Sequence, residues 1–166
     1  VRYVEKGRTE QIGEFTVTPF EVPHDSTDCV GYCIECQGLT FTLVTDCGHI
    51  TDEIRTFVSR ANYLVSEANL EPEQLAAGPS TQYLKTRITS KTGHLSNAEC
   101  AQTIVENATL GLRHVWLCHL SDENNHPELA RKAVTSEMAS HGLVADVDFM
   151  VEVLRRKTPS GIYELK

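Results

Sequence analysis

The period of the apolar positions changes along the chain and divides it into elements. Residues 14–22 (EFTVTPFEV) alternate apolar and polar as a half-buried strand does, with Pro19 suggesting an edge or a bulge. Ahead of them, residues 1–13 are polar, with Gly7 and Gly13 as breakers, and read as a weak strand and turn. Val30 to Cys36 and Leu39 to Thr45 form two strands joined at Gln37-Gly38, a two-residue hairpin signal. Thr51 then caps a helix with Asp52 and Glu53 in its first turn and a stripe of Ile54, Phe57, Val58 and Ala61. Tyr63 to Ser66 is a short buried strand, and residues 71–91 read as two short helices broken at Gly78-Pro79. Ser96-Asn97-Ala98-Glu99 is a capping box whose helix presents Ala98, Ala101, Ile104, Val105 and Ala108 on one face and stops at Gly111. Arg113 to Cys118 is a strand. Pro127 opens a helix whose core face is Leu129/Ala130, Ala133/Val134 and Met138 and which ends at Gly142. Asp146 to Leu154 is a last strand and Ile162 to Leu165 a tail strand. Strands alternating with helices from residue 39 onward predict an α/β fold with a mostly parallel sheet.

Composition narrows the partners. The 166 residues suit one domain with a real core, and no apolar run is long enough for a membrane span. Lys and Arg number 15 against 23 Asp and Glu, a net charge of −8, which argues against bulk attraction to nucleic acid and leaves room only for a local basic patch. Cys29, Cys33, Cys36, Cys47, Cys100 and Cys118 are irregularly spaced within apolar runs and read as free thiols in a reducing cytoplasm. Cys33 and Cys36 match C-x-x-C, but a strand points them to opposite faces. The chain starts at Val1 without a signal pattern, so it reads as cut from something longer.

Four strand-like segments end in residues able to bind metal. FTVTPFEVPHD leads to His24, FTLVTDCGH to Asp46, YLVSEAN to Glu67 and VWLCHLS to His119. In an open α/β sheet, ligands gather outside the carboxyl ends of the strands. Two imidazoles and two carboxylates on one rim make a donor set suited to Zn²⁺, Mn²⁺ or Fe²⁺. His94 follows Gly93 just ahead of the capping-box helix, where free N–H groups favour an anion. Lys85, Arg87 and Lys91 lie just upstream as candidate phosphate contacts or, equally, as an exposed helix face; Ser96 and Asn125 are further candidate substrate contacts. His114, His126 and His141 read as structural, and His49 as a residue behind the site.

The segments EVPHD, VGYCIE, TDCGH, SEAN, TGHLSN and CHLSDENNHPELA, in that order, resemble the C-terminal half of a metallo-β-lactamase-fold hydrolase. The branch is that of the transfer-RNA 3′-processing ribonucleases, the cyclic phosphodiesterases and the YycJ/WalJ-type exonucleases, with the last group the nearest in motif. The resemblance implies an αββα two-sheet sandwich holding two divalent metal ions at its edge. It makes His24 and His119 metal ligands, Asp46 a bridging carboxylate, and Glu67 with His94 the pair that serves proton transfer. The family's H-x-H-x-D-H signature does not occur in the chain, so roughly a hundred residues carrying four further ligands are expected to precede Val1. The implied function is metal-dependent phosphodiester hydrolysis, with attack by metal-bound hydroxide and protonation of the leaving oxygen by His94. The substrate this implies is nucleic acid; the alternatives are a hydrolase of small cyclic phosphodiesters or a non-catalytic domain of the same fold. A homodimer is compatible with this reading, and the truncated chain alone is expected to be inactive.

Overall fold

The computed structural model of the chain describes residues 3–166. Seven strands form one sheet whose spatial order follows the sequence: β1 (Glu10–Ile12), β2 (Phe15–Glu21), β3 (Val30–Cys36), β4 (Leu39–Val44), β5 (Tyr63–Glu67), β6 (His114–Cys118) and β7 (Met150–Val153). The first four are antiparallel neighbours and the last four run parallel. The β3–β4 hairpin turns on Gln37 and Gly38, both at positive φ (51° and 78°), the backbone of a type I′ turn. Parallel pairing needs crossovers, and helices supply them: α1 (Asp52–Arg60) joins β4 to β5 and α5 (Pro127–Ser140) joins β6 to β7. Between β5 and β6 lie α2 (Pro72–Ala77), α3 (Gln82–Ile88) and α4 (Asn97–Asn107).

Register explains the core. Cys33, Thr42, Leu64, Val115 and Val151 pair directly across five strands and point to one face, where all five are buried. Helices α1, α4 and α5 cover that face with Ile54, Val58, Ile104, Val105, Ala130, Val134 and Met138. The next row, Tyr32, Leu43, Val65, Trp116 and Glu152, faces the other way. No helix covers this second face among the described residues. The C-terminal segment crosses it instead, with the Tyr163 ring edge-on to Trp116 at 4.9 Å. Tyr63 Oη bonds the backbone N–H and carbonyl of Lys166.

The predicted elements stand with four differences. Helix α4 ends at Asn107, capped by Ala108, rather than running on to Gly111. The first strand is confined to Glu10–Ile12, and Val1 and Arg2 fall outside the described residues. The last strand of the sheet begins at Met150 rather than Asp146, because Ala145 to Phe149 folds into a turn closed by Asp148 N–H on Val144 O. Residues 162–165 make no strand; they lie on the sheet as an irregular strap. No helix among the described residues is long and apolar enough to cross a membrane.

Candidate metal centre

Because β2, β4, β5 and β6 all point the same way, their carboxyl ends share one edge, and each delivers one of the candidate residues there. His24 is the third residue beyond the end of β2 and Asp46 the second beyond the end of β4, Glu67 is the last residue of β5, and His119 immediately follows β6. His94 arrives from the α3–α4 connection. The 95–97 stretch is laced to the end of β5, with Asn69 N–H donating to Leu95 O and Asn97 N–H to Leu70 O. Asp46 and His119 both take a left-handed backbone (φ 55° each), which turns the chain sharply at the strand exit and is uncommon for a residue with a Cβ.

Asp46 sits between two imidazoles. Its Oδ1 lies 3.7 Å from His24 Nε2 and 3.8 Å from His119 Nε2, too long for hydrogen bonds and wide enough to leave room between donors. His24 donates Nδ1–H to the Gly93 carbonyl at 3.0 Å, so its Nε2 carries the free lone pair. His94 donates Nδ1–H to Glu67 Oε1 at 2.7 Å, which frees its Nε2 in the same way. His119 presents Nδ1 to Glu67 Oε1 at 3.6 Å and Nε2 to Asp46. Neutral imidazoles with one nitrogen fixed by a carbonyl or carboxylate and the other turned to a cleft are the form metal sites require. Two groupings have donor atoms close enough to share one ion: His24, Asp46 and His94, and Glu67, His94 and His119. The donor set therefore fits divalent metal, and His94 belongs to both groupings.

Glu67 is fully buried. Burial alone would push its carboxyl up, but the His119 imidazole 3.6 Å away and hydrogen bonds from His94 and the Cys47 N–H (2.9 Å, to Oε2) outweigh it and hold the group below the ordinary carboxylate value. The same carboxylate raises the His119 imidazole against the opposing effect of its own burial. Burial, reinforced by Glu67, pushes the neighbouring Cys47 and Cys118 thiols up to about 12, so they are neutral packing residues.

The candidate substrate contacts divide. Arg87 borders a cavity of about 150 Å³ together with His24, Asp25, Leu84, Ile88, Gly93 and His94, and its Nε donates to Asp25 Oδ2 at 2.5 Å. Lys85 turns away and donates to Ala76 O. Lys91 holds the site through its backbone, its carbonyl accepting His49 Nδ1–H at 2.7 Å. The Ser96 hydroxyl is engaged in the capping box with Glu99, and Asn125 exchanges hydrogen bonds with Asn97 and holds the Ala68 carbonyl. Sequence reasoning passed over Asp25, which anchors Arg87 and lies 3.6 Å from His24 Nε2. It gave Gly93 no role, and Gly48 only that of allowing a tight exit after Asp46. A Cβ on Gly48 would run into the Lys91 carbonyl, and one on Gly93 into that of Ile88, so the T-D-C-G-H and T-G-H stretches need glycine where two loops cross. Dense glycine–histidine spacing in both stretches is the signal that could have found this.

Comparison with known proteins agrees with this geometry. The beta-lactamase superfamily domain matches residues 1–120. The chain is 34% identical over 161 residues to an exodeoxyribonuclease WalJ of Streptococcus pneumoniae, covering 97% of this chain and 60% of that protein. It is 30% identical over 156 residues to an exodeoxyribonuclease YycJ of Bacillus anthracis, covering 94% of this chain and 59% of that protein. It thus spans about three fifths of the length of these curated relatives. The metallo-beta-lactamase fold protein YhfI from Bacillus subtilis superposes with a TM-score of 0.66 at 20% identity, over 92% of this chain and 52% of that one. The metal-compatible rim, the mixed sheet and the matched domain lead to one conclusion: the chain belongs to the beta-lactamase superfamily.

Proposed function

We propose that the chain carries part of the active site of a metal-dependent phosphodiester hydrolase acting on nucleic acid, an exonuclease like the WalJ and YycJ relatives. The observation that carries this reading is Asp46 Oδ1 set between His24 Nε2 and His119 Nε2, with the Glu67–His94 pair beside it. His24, Asp46 and His119 would hold two divalent ions, Zn²⁺ or Mn²⁺ with Fe²⁺ also suited, with the Asp46 carboxylate available to both. Such ions supply Lewis-acid polarisation of the phosphoryl oxygens and lower the pKa of water.

The chain's own residues then have distinct tasks. Glu67, kept ionised by the imidazoles and the Cys47 N–H around it, fixes the His94 ring and its tautomer. His94 Nε2, once it has taken up a proton, is placed to pass it to the leaving oxygen while Nδ1–H stays on Glu67. Arg87, oriented by Asp25, is placed to meet a phosphate oxygen in the adjoining cavity. We further propose that the chain is the C-terminal portion of a two-sheet domain, whose other sheet packs on the Tyr32–Val65–Trp116 face and supplies further ligands. The six free cysteines support a reducing, cytoplasmic setting.

The small cavity and the net charge of −8 favour a second reading, hydrolysis of small cyclic phosphodiesters. End-labelled DNA and RNA, compared with cyclic nucleotides as substrates for metal-reconstituted full-length protein, separate the two. Shortening of labelled strands that stops on chelation, and in Asp46→Asn, is the expected result. Cleavage that persists in both would refute a metal-dependent site here.

A further inference from the structure

Asn69 sits two residues beyond Glu67 and is 8% exposed. Its backbone is tied on both sides: its N–H donates to Leu95 O at 3.0 Å, and its carbonyl accepts from Ser121 N–H at 2.8 Å. The side chain does something separate. Asn69 Nδ2 donates to the backbone carbonyl of His119 at 2.7 Å and lies 3.3 Å from His119 Nδ1. Among the described residues, this amide is the donor that the His119 carbonyl has. That carbonyl has left the sheet because His119 adopts φ 55°, a region a histidine enters only where its surroundings over-determine it. A carbonyl turned out of a ladder needs a partner, and Asn69 provides one from the adjacent strand end.

The consequence reaches the side chain. The backbone turn at His119 decides where its Cβ points, and so whether Nε2 faces Asp46 or solvent. The ring is nearly half exposed, so packing alone holds it weakly. We propose that Asn69 is a positioning residue: by bonding the His119 carbonyl it locks the left-handed turn that aims His119 Nε2 at Asp46. The inference rests on the metallohydrolase reading for its use, though not for its geometry. Direct coupling of Asn69 to the ring works against that use. An amide donating to Nδ1 would leave the proton on Nε2, whereas a ligating His119 needs Nδ1–H turned to Glu67 Oε1. The carbonyl bond is therefore the one that serves the site.

The test compares wild type with Asn69→Ala in two ways. In the metal-free protein, the Cα and Cβ chemical shifts of His119 report the backbone region, and they should leave left-handed values in the variant. In Co²⁺ titrations against a competing chelator, the variant should bind about 10–100-fold more weakly, with an altered visible spectrum, as partners behind metal ligands typically do. Both backbone bonds of Asn69 survive the substitution, so metal-free melting should change far less than metal affinity. Asn69→Ser, whose hydroxyl is too short to reach the carbonyl, repeats the comparison if Asn69→Ala does not fold. Unmoved His119 shifts with unchanged Co²⁺ affinity would overturn the proposal. His119 shifts that move while the folded wild type takes up no Co²⁺ would instead overturn the metal reading and leave the backbone role standing.

Discussion

At the scale of single residues, Glu67 is the most closely held group of the candidate site. It is a fully buried carboxylate with Oε1 on His94 and Oε2 on the Cys47 N–H. His94→Ala in the full-length metal-loaded protein should lower turnover by roughly 10²–10⁴ while metal content stays constant, the behaviour of a proton donor. Loss of metal on that substitution would make His94 a ligand, as its place in both donor groupings allows. Glu67 also gives the metal-free protein a signed pH dependence. Its folded value lies below its ordinary 4.5, so its stabilisation is present above pH 4.5 and fades as pH falls through the lower folded value. His119 is raised above 6.5, so its contribution is present below pH 6.5 and fades as pH rises through the folded value. The stability difference between wild type and Glu67→Gln, measured by urea unfolding without metal, should therefore peak between pH 4.5 and 6.5. A difference that does not vary with pH would mean the ion pairs add nothing. That His24, Asp46, Glu67 and His119 would meet at one rim was legible in the sequence because each ends or closely follows a strand. Asp25 and Asn69 were not, because their roles depend on loops meeting across 62 and 50 positions.

At the scale of elements, what is encoded within a few residues could be read, and what depends on distant partners could not. The capping box is such a local device: the Ser96 hydroxyl accepts from Glu99 N–H, and Glu99 Oε2 accepts from Ser96 N–H. The Gln37-Gly38 turn and the Thr51 cap are others. Ser96→Ala should cost about 0.5–2 kcal/mol of unfolding free energy, readable as a shifted denaturant midpoint with an unchanged slope. A loss below a few tenths of a kcal/mol would show that packing on α1 and α5 holds α4 without its cap. The tail strand failed for the opposite reason. Ile162 to Leu165 has strand-like composition, yet the segment lies flat on the sheet and has no edge to pair with. Gly48→Ala tests the loop crossing, since its Cβ meets backbone rather than a flexible side chain. It should displace the 91–94 loop that carries His94 and lower activity more than α1 stability; normal turnover would show that the loops can part.

For the whole molecule, the sheet is unequally covered. Three helices bury one face, while Tyr32, Ile34, Phe41, Leu43, Val65 and Trp116 share the other with only the C-terminal strap. On the two sides of that strap lie cavities of about 260 and 270 Å³, the first lined by Phe15, Ile34 and Phe41 and the second by Phe41, Val65 and Trp116. Phe15 and Ile12 at the edge are about half exposed, and large contiguous apolar patches on soluble chains mark contact surfaces. The strap is held by few polar bonds, chiefly Tyr163 Oη to Glu152 at 2.7 Å and Tyr63 Oη to the backbone of Lys166. In water such a face gains by meeting a second apolar surface, at about 25 cal/mol for each Å² removed from solvent. The 166-residue chain should therefore self-associate at tens of micromolar despite its net charge of −8, and added salt should strengthen the association by screening that repulsion. Val65→Lys places a charge in the centre of the face without touching the helix-covered core, and should return the chain to a monomer with little change in helix content. Sedimentation velocity on both proteins reads the outcome. A wild-type chain that stays monomeric at every concentration and salt would show that the strap suffices to close the sheet.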